Sequence, residues 1–123
     1  MKWQFSNDAP IYSQLIAQIK VGIVSGAFPP GERLPSVRDL ATEAGVNPNT
    51  MQRALTELER EGLLVSGGTS GRSVTQDEAV LVAMREQTLE ELARECAEKF
   101  MTFGGTPTQA AQLLLGLETK KEE

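Results

Sequence analysis

The sequence predicts a mainly α-helical chain with one small β-hairpin. Apolar residues recur at helical spacing in stretches punctuated by capping residues, glycine and proline. Two short runs, Leu63–Ser66 and Arg72–Thr75, flank the glycine-rich segment 67–71 and read as paired strands. With 123 residues, 40% of them apolar, the chain can build a real core without a disulfide.

The first helix opens after Asn7-Asp8-Ala9-Pro10, with Asp8 as the expected cap and Pro10 in the first turn. Its stripe is Ile11, Leu15, Ile19 and Ile23, flanked by Ile16 and Val24, and it stops at Ser25-Gly26. Pro29-Pro30-Gly31 imposes a turn, and Leu34-Pro35 holds the chain extended. Ser36 caps a short second helix to Ala44, with Asp39 where a capping box places an acid and Gly45 as left-handed terminator. Asn47-Pro48 then starts a third helix, running to about Glu61, with Met51, Ala54, Leu55 and Leu58 on one face. Gly62 ends it, and the hairpin follows.

From Asp77 a long helix extends to about Phe103, with a stripe through Leu81, Met84, Leu89, Leu92, Cys96, Phe100 and Phe103. Gly104-Gly105 breaks it, and Thr106-Pro107 starts a last helix through Leu113, Leu114 and Leu117. The tail from Lys120 is expected to fray.

Composition narrows the chemistry. The absence of histidine excludes histidine-dependent triads, imidazole metal sites and histidine acid/base catalysis. Cys96 is alone, so no disulfide framework is implied. The N-terminus lacks a basic-then-apolar signal layout, and the longest apolar run, Ala79–Met84, is six residues. A cytoplasmic globular protein without membrane contact is therefore expected. Net charge is −5, yet residues 1–75 hold seven Lys/Arg against seven Asp/Glu. Residues 76–123 hold five basic and ten acidic groups, so the whole imbalance lies in the second part. The division implies a domain of residues 1–75 and a two-helix arm of residues 76–123.

Two short helices joined by a turn containing Gly45, with a hairpin directly after, constitute a winged helix-turn-helix. In that arrangement the second helix of the pair enters the DNA major groove by its N-terminal turn. With Met51, Ala54, Leu55 and Leu58 inward, Asn49, Gln52, Arg53 and Thr56 face outward. Asn and Gln can bond adenine bidentately, and Arg can read guanine or grip phosphate. Asn47 and Thr50 lie at the helix start, where free backbone N–H groups favour phosphate. Arg38, early in the preceding helix, is placed to hold backbone or reach a base.

The runs Ala9-Pro-Ile-Tyr-Ser-Gln-Leu-Ile and Pro30-Gly-Glu-Arg-Leu-Pro-Ser-Val-Arg-Asp-Leu-Ala resemble the GntR family of bacterial repressors. So does Gly45-Val-Asn-Pro-Asn-Thr-Met-Gln-Arg-Ala-Leu, and Pro-Asn-Thr followed by Gln-Arg is similar to the family's short YtrA-type branch. Over residues 9–75 the resemblance implies DNA contacts at Arg38, Asn47, Asn49, Thr50, Gln52 and Arg53, with wing contacts near Gly71 and Arg72. Pro48 and Gln52 stand where many longer relatives carry arginine, so their operators do not transfer. Ser73 replaces the aromatic of the common wing pattern. The sequence offers no nucleophile–base pair, metal cluster or cofactor loop, so an enzyme, a cofactor and a metal are not expected. The resemblance implies a homodimer, and a palindromic operator is expected with it. Its targets would include its own operon and an ABC-type transporter. No effector is indicated.

After Thr75 the 48 remaining residues suffice for two helices and not for an enclosed effector domain. Their apolar surface, Leu81, Met84, Leu92, Cys96, Phe100, Phe103, Leu113, Leu114 and Leu117, exceeds what one copy can bury, which points to dimerisation. Tyr12 reads first as a packing residue, Trp3 and Phe5 as packing against the arm, and Cys96 as a buried structural thiol. Glu86, Glu90 and Glu91 read as a solvated face rather than an oxygen site for a cation. Residues 67–73 make at most a faint phosphate-loop pattern. The alternative function is a winged-helix protein-interaction module without DNA binding, motivated by the sequence pI of about 4.8.

Overall fold

A computed structural model describes residues 2–67 and 71–122, with the backbone alone for 119–122. Gly68, Thr69 and Ser70 of the expected hairpin turn, and Glu123 of the tail, lie outside the described residues. In chain order the elements are α1 (Ile11–Ser25), α2 (Val37–Ala44), α3 (Pro48–Arg60), β1 (Leu64–Ser66), β2 (Arg72–Val74), α4 (Glu78–Thr102) and α5 (Pro107–Glu122). The chain divides into two compact units, Met1–Val82 and Ala83–Glu123. That division falls inside α4, whereas the sequence reading begins the arm at residue 76.

In the first unit the apolar stripes become a core. Leu15 and Ile19 of α1, Leu40 of α2, and Met51, Ala54, Leu55 and Leu58 of α3 are each at most 2% exposed. Leu34, Leu63, Leu64 and Val74 close the same core from the hairpin side. Burying a Leu or Ile side chain fully contributes roughly 1.5–3 kcal/mol, so these positions carry most of the unit's stability. At the ends of the α1 stripe, Ile11 and Val24 stay exposed.

The start of α1 differs from expectation, because Asp8 does not cap it. Pro10 occupies the cap position without a side-chain bond. Two glutamines of the helix hold the preceding strand-like segment instead. Gln14 accepts from the Ser6 N–H at 2.9 Å and donates to the Ala9 carbonyl at 2.7 Å. One turn on, Gln18 accepts from the Gln4 N–H at 3.0 Å and donates to its carbonyl at 2.6 Å. The carboxamides thereby satisfy backbone groups of the segment that precedes the helix.

Helix α2 begins and ends as its residues dictate. Ser36 Oγ accepts from the Asp39 N–H at 3.1 Å. At the other end Gly45 has φ 72°, a left-handed value open to glycine at little cost. Its N–H donates to the Thr42 carbonyl at 3.2 Å, and that of Val46 to Ala41 at 3.0 Å. Two residues later Asn47 Oδ1 accepts from the Asn49 N–H at 2.8 Å, with Pro48 in the first turn of α3. The turn between the two helices is thus fixed at both sides by local chemistry.

Strands β1 and β2 are antiparallel, pairing Leu64 with Val74, Val65 with Ser73 and Ser66 with Arg72. The segment before Pro35, expected to be extended, also pairs with the hairpin. Arg33 bridges Ser73, with Leu34 N–H donating to the Arg72 carbonyl and Val74 N–H to the Glu32 carbonyl, both at 2.9 Å. Gly31 (φ 81°) turns the chain into this pairing, and a Cβ there would collide with the Gln76 side chain.

Asp77 caps α4, accepting from the Ala79 N–H at 3.1 Å. In the second unit Gly104 (φ 85°) and Gly105 close α4, Gly105 N–H donating to the Phe100 carbonyl at 2.7 Å. Thr106 and Gln109 form a reciprocal capping box at the start of α5, with bonds of 3.1 and 2.8 Å. Helix α5 continues to Glu122, past the Lys120 at which fraying is expected.

Candidate nucleic-acid interface

Helix α3 shows one buried and one exposed face. Opposite Met51, Ala54, Leu55 and Leu58 stand Asn49, Gln52, Arg53 and Thr56, all exposed, with Thr50 half-buried at the edge. Asn47 is exposed too, but its Oδ1 is committed to the α3 cap, which leaves its NH₂ group as the free donor. Gln52 has only a long 3.5 Å bond to Thr56 Oγ1. Arg38, second residue of α2, is fully on the surface.

Electrostatics refine this face. The three acids at the end of α3 and just after it are each matched by a cation. Arg60 Nε donates to Glu57 at 2.8 Å, Arg72 Nε to Glu59 at 2.8 Å, and Lys20 Nζ to Glu61 at 3.3 Å. The hydrogen bond from Arg60 holds the Glu57 carboxyl below the usual carboxylate range and pushes the guanidinium's own value up. Among the described residues Arg33, Arg38 and Arg53 form no ion pair. The carboxylates are therefore quenched locally while three guanidinium groups keep their full charge.

The wing departs from expectation at Arg72. Its side chain is 19% exposed and tied to Glu59, so it braces β2 against α3. Arg33, part of the motif Pro30-Gly-Glu-Arg-Leu-Pro-Ser but not among the expected DNA contacts, stands at the surface in its place. Its Nε lies 3.6 Å from where a Cβ on Gly71 would be, and Gly71 is exposed. The signal for Arg33 was the extended segment between Gly31 and Pro35, whose pairing with β2 only the fold reveals. A cleft of about 300 Å³ opens here, lined by Arg33, Pro35, Ser36, Leu55, Gly71 and Arg72.

Near the N-terminus, Trp3 and Phe5 stack on each other at 6.3 Å, and Trp3 Nε1 donates to Glu43 at 3.3 Å. Tyr12 lies under Arg53, whose guanidinium carbon is 4.7 Å from the ring centroid.

Along α4 and α5 the residues of the expected dimerisation stripe differ widely in exposure. Met84 is buried, and Leu81, Cys96 and Phe100 are half-buried. Leu92, Phe103, Leu113, Leu114 and Leu117 are all more than half exposed, as are Leu89, Met101 and Leu115. Cys96, expected buried, is a free thiol only partly covered. Phe100, Phe103 and Leu113 line an apolar groove of about 410 Å³. Glu90 pairs with Arg94 and Glu91 accepts from Gln87. Among the described residues no three carboxylates or thiols converge on a metal position, and no helix is long and apolar enough to cross a membrane.

Comparison with known proteins agrees with this architecture. Residues 11–74 match the family model of bacterial regulatory proteins, gntR family. An uncharacterised HTH-type transcriptional regulator of Bacillus subtilis, YhcF, is 30% identical over 97% of this chain and 96% of its own length. The HTH-type transcriptional repressor YtrA of the same organism is 37% identical over 68% of this chain and 64% of its own. A GntR family transcriptional regulator from Listeria monocytogenes superposes with a TM-score of 0.81 at 28% identity, covering 91% of this chain and 98% of that one. The DNA-binding domain of AraR, solved with its operator ORX1, superposes with a TM-score of 0.56 at 26% identity over 61% of this chain and 96% of its own. These relatives are regulators of transcription and not enzymes, and the chain belongs to the GntR family of bacterial regulatory proteins, on its YtrA branch.

Proposed function

We propose that this transcriptional regulator acts as a homodimeric repressor, reading a palindromic operator through α3 in the major groove and the β1–β2 wing beside it. The observation that carries the reading is the exposed face of α3, polar and amide-rich, with its carboxylates ion-paired and Arg53 and Arg38 left charged. Gln52 and Asn49 are the base-reading candidates, and Arg38, Asn47, Thr50 and Arg53 hold phosphate or base edges. At the wing, Gly71 permits close approach, and Arg33 supplies the cation that Arg72 cannot without leaving Glu59. The AraR domain's complex with an operator supports DNA as the partner.

The arm's bare leucines support a twofold dimer, in which two copies of α3 would stand about one DNA turn, ~34 Å, apart. The likeness to the repressor YtrA supports repression, and the family resemblance extends the targets to its own operon and an ABC-type transporter. Work is expected to take place in the cytoplasm, where the genome is.

Selection of bound duplexes from a random pool tests the reading directly. The expected product is an inverted repeat whose affinity falls steeply with salt, as counterion release requires. Failure to enrich any duplex at low salt overturns it in favour of a protein-interaction module.

A further inference from the structure

Arg53 is unusual among the exposed cations of the first unit in what holds it. One helical turn on, at the spacing where a carboxylate ordinarily captures an arginine, stands Glu57. Glu57 is taken by Arg60 instead, through two of the three guanidinium nitrogens. Arg53 rests on the ring of Tyr12, the second residue of α1, with 4.7 Å between guanidinium carbon and centroid. That distance is well inside the ~6 Å range of a cation–π contact.

The two kinds of partner have opposite consequences for binding an anion. A carboxylate would orient the guanidinium but cancel its charge and occupy its donors. An aromatic face orients it while leaving the charge whole and the N–H fork free in the plane. Tyr12 is half-buried between α1 and α3, so the platform itself is held by packing. We infer that Tyr12 is a positioning residue for DNA binding, which pre-orients Arg53 toward the nucleic acid without neutralising it. The inference rests on the reading of Arg53 as a DNA contact.

The test is a cycle of variants titrated on the selected operator duplex by fluorescence anisotropy, each checked by thermal unfolding. Arg53→Met should weaken binding by about tenfold or more and lower the salt-dependence slope by about one. Tyr12→Phe keeps the ring and should stay within about twofold of the parent, whereas Tyr12→Leu should lose roughly three- to tenfold. The double variant Tyr12→Leu/Arg53→Met should bind no more weakly than Arg53→Met alone. If Tyr12→Leu costs the same factor in both backgrounds, or Tyr12→Phe falls as far as Tyr12→Leu, the positioning role is overturned. If Arg53→Met binds like the parent, the placement of Arg53 on DNA fails first. A measurement on the unmutated protein guards against a misfolded variant. The δ-methylene protons of Arg53 should be shifted upfield by the Tyr12 ring current, and unshifted resonances overturn the stacking.

Discussion

The two units use the same kind of sequence for opposite ends. In Met1–Val82 the middles of the apolar stripes of α1 and α3 are buried in one core, Leu15, Met51 and Leu58 being fully covered. In Ala83–Glu123 residues of the same type and spacing stay bare, with Leu92 at 55% and Phe103 at 93% exposure. Charge divides in parallel, balanced over residues 1–75 and acidic beyond. A helical stripe therefore specifies that a face must be covered but not by what. A first unit whose stripes are largely covered within the chain contrasts with a second whose leucines stay exposed, the surface to which the proposed dimer is assigned.

The strongest way to break this contrast is to cut into each region and ask which property fails. Leu58→Ala, at a fully buried site, should cost about 2–5 kcal/mol in urea unfolding. Next, the paired change Leu113→Glu/Leu117→Glu on the bare arm should leave the first unit folded. By sedimentation it should shift dimer to monomer at micromolar concentration, because each carboxylate would have to be desolvated in the interface. A variant that stays dimeric would remove the arm from the interface.

Within the first unit, Arg38→Ala should weaken operator binding by ~1–3 kcal/mol without moving the melting temperature, since the side chain is exposed and unpaired. Arg72→Ala should do the reverse, lowering stability through the lost brace to Glu59 more than it weakens DNA binding. Ser36→Ala removes the α2 cap and should cost about 1 kcal/mol in denaturant titration.

The smallest effect concerns pH. Arg60 depresses the Glu57 carboxyl in the folded chain, so this group adds stability above the ordinary glutamate value of about 4.3. The contribution disappears as pH falls below that value through the depressed one. Arg60, raised, keeps its proton throughout. The difference between parent and Glu57→Gln should accordingly be small and constant from pH 7 to 5, then shrink. A difference that grows on acidification would contradict the assigned pairing.

Much of the site was legible because its signals are local. Gly45, Asn47 and Pro48 specify a turn whose bonds span at most five residues, and the 3.6-residue period of α3 sorts Met51 and Leu55 from Gln52 and Arg53. Arg72, Arg33 and Tyr12 were not legible in the same way. Each acquires its role from a partner distant in sequence: Glu59 for Arg72, Ser73 and Gly71 for Arg33, Arg53 for Tyr12. Asp8 does not cap α1 because the helix begins at Ile11 with Pro10 in the cap position, two residues beyond it.

By itself the sequence determined the order of helices and hairpin, the inward face of α3 and the resemblance to GntR regulators, all of which rest on spacing and nearest-neighbour chemistry. The tertiary structure alone decided which charges are free. Whether the guanidinium of Arg72, Arg33 or Arg53 meets a carboxylate, a glycine or an aromatic ring depends on segments brought together by the core, and Coulomb and cation–π attractions are strongest at those contact distances.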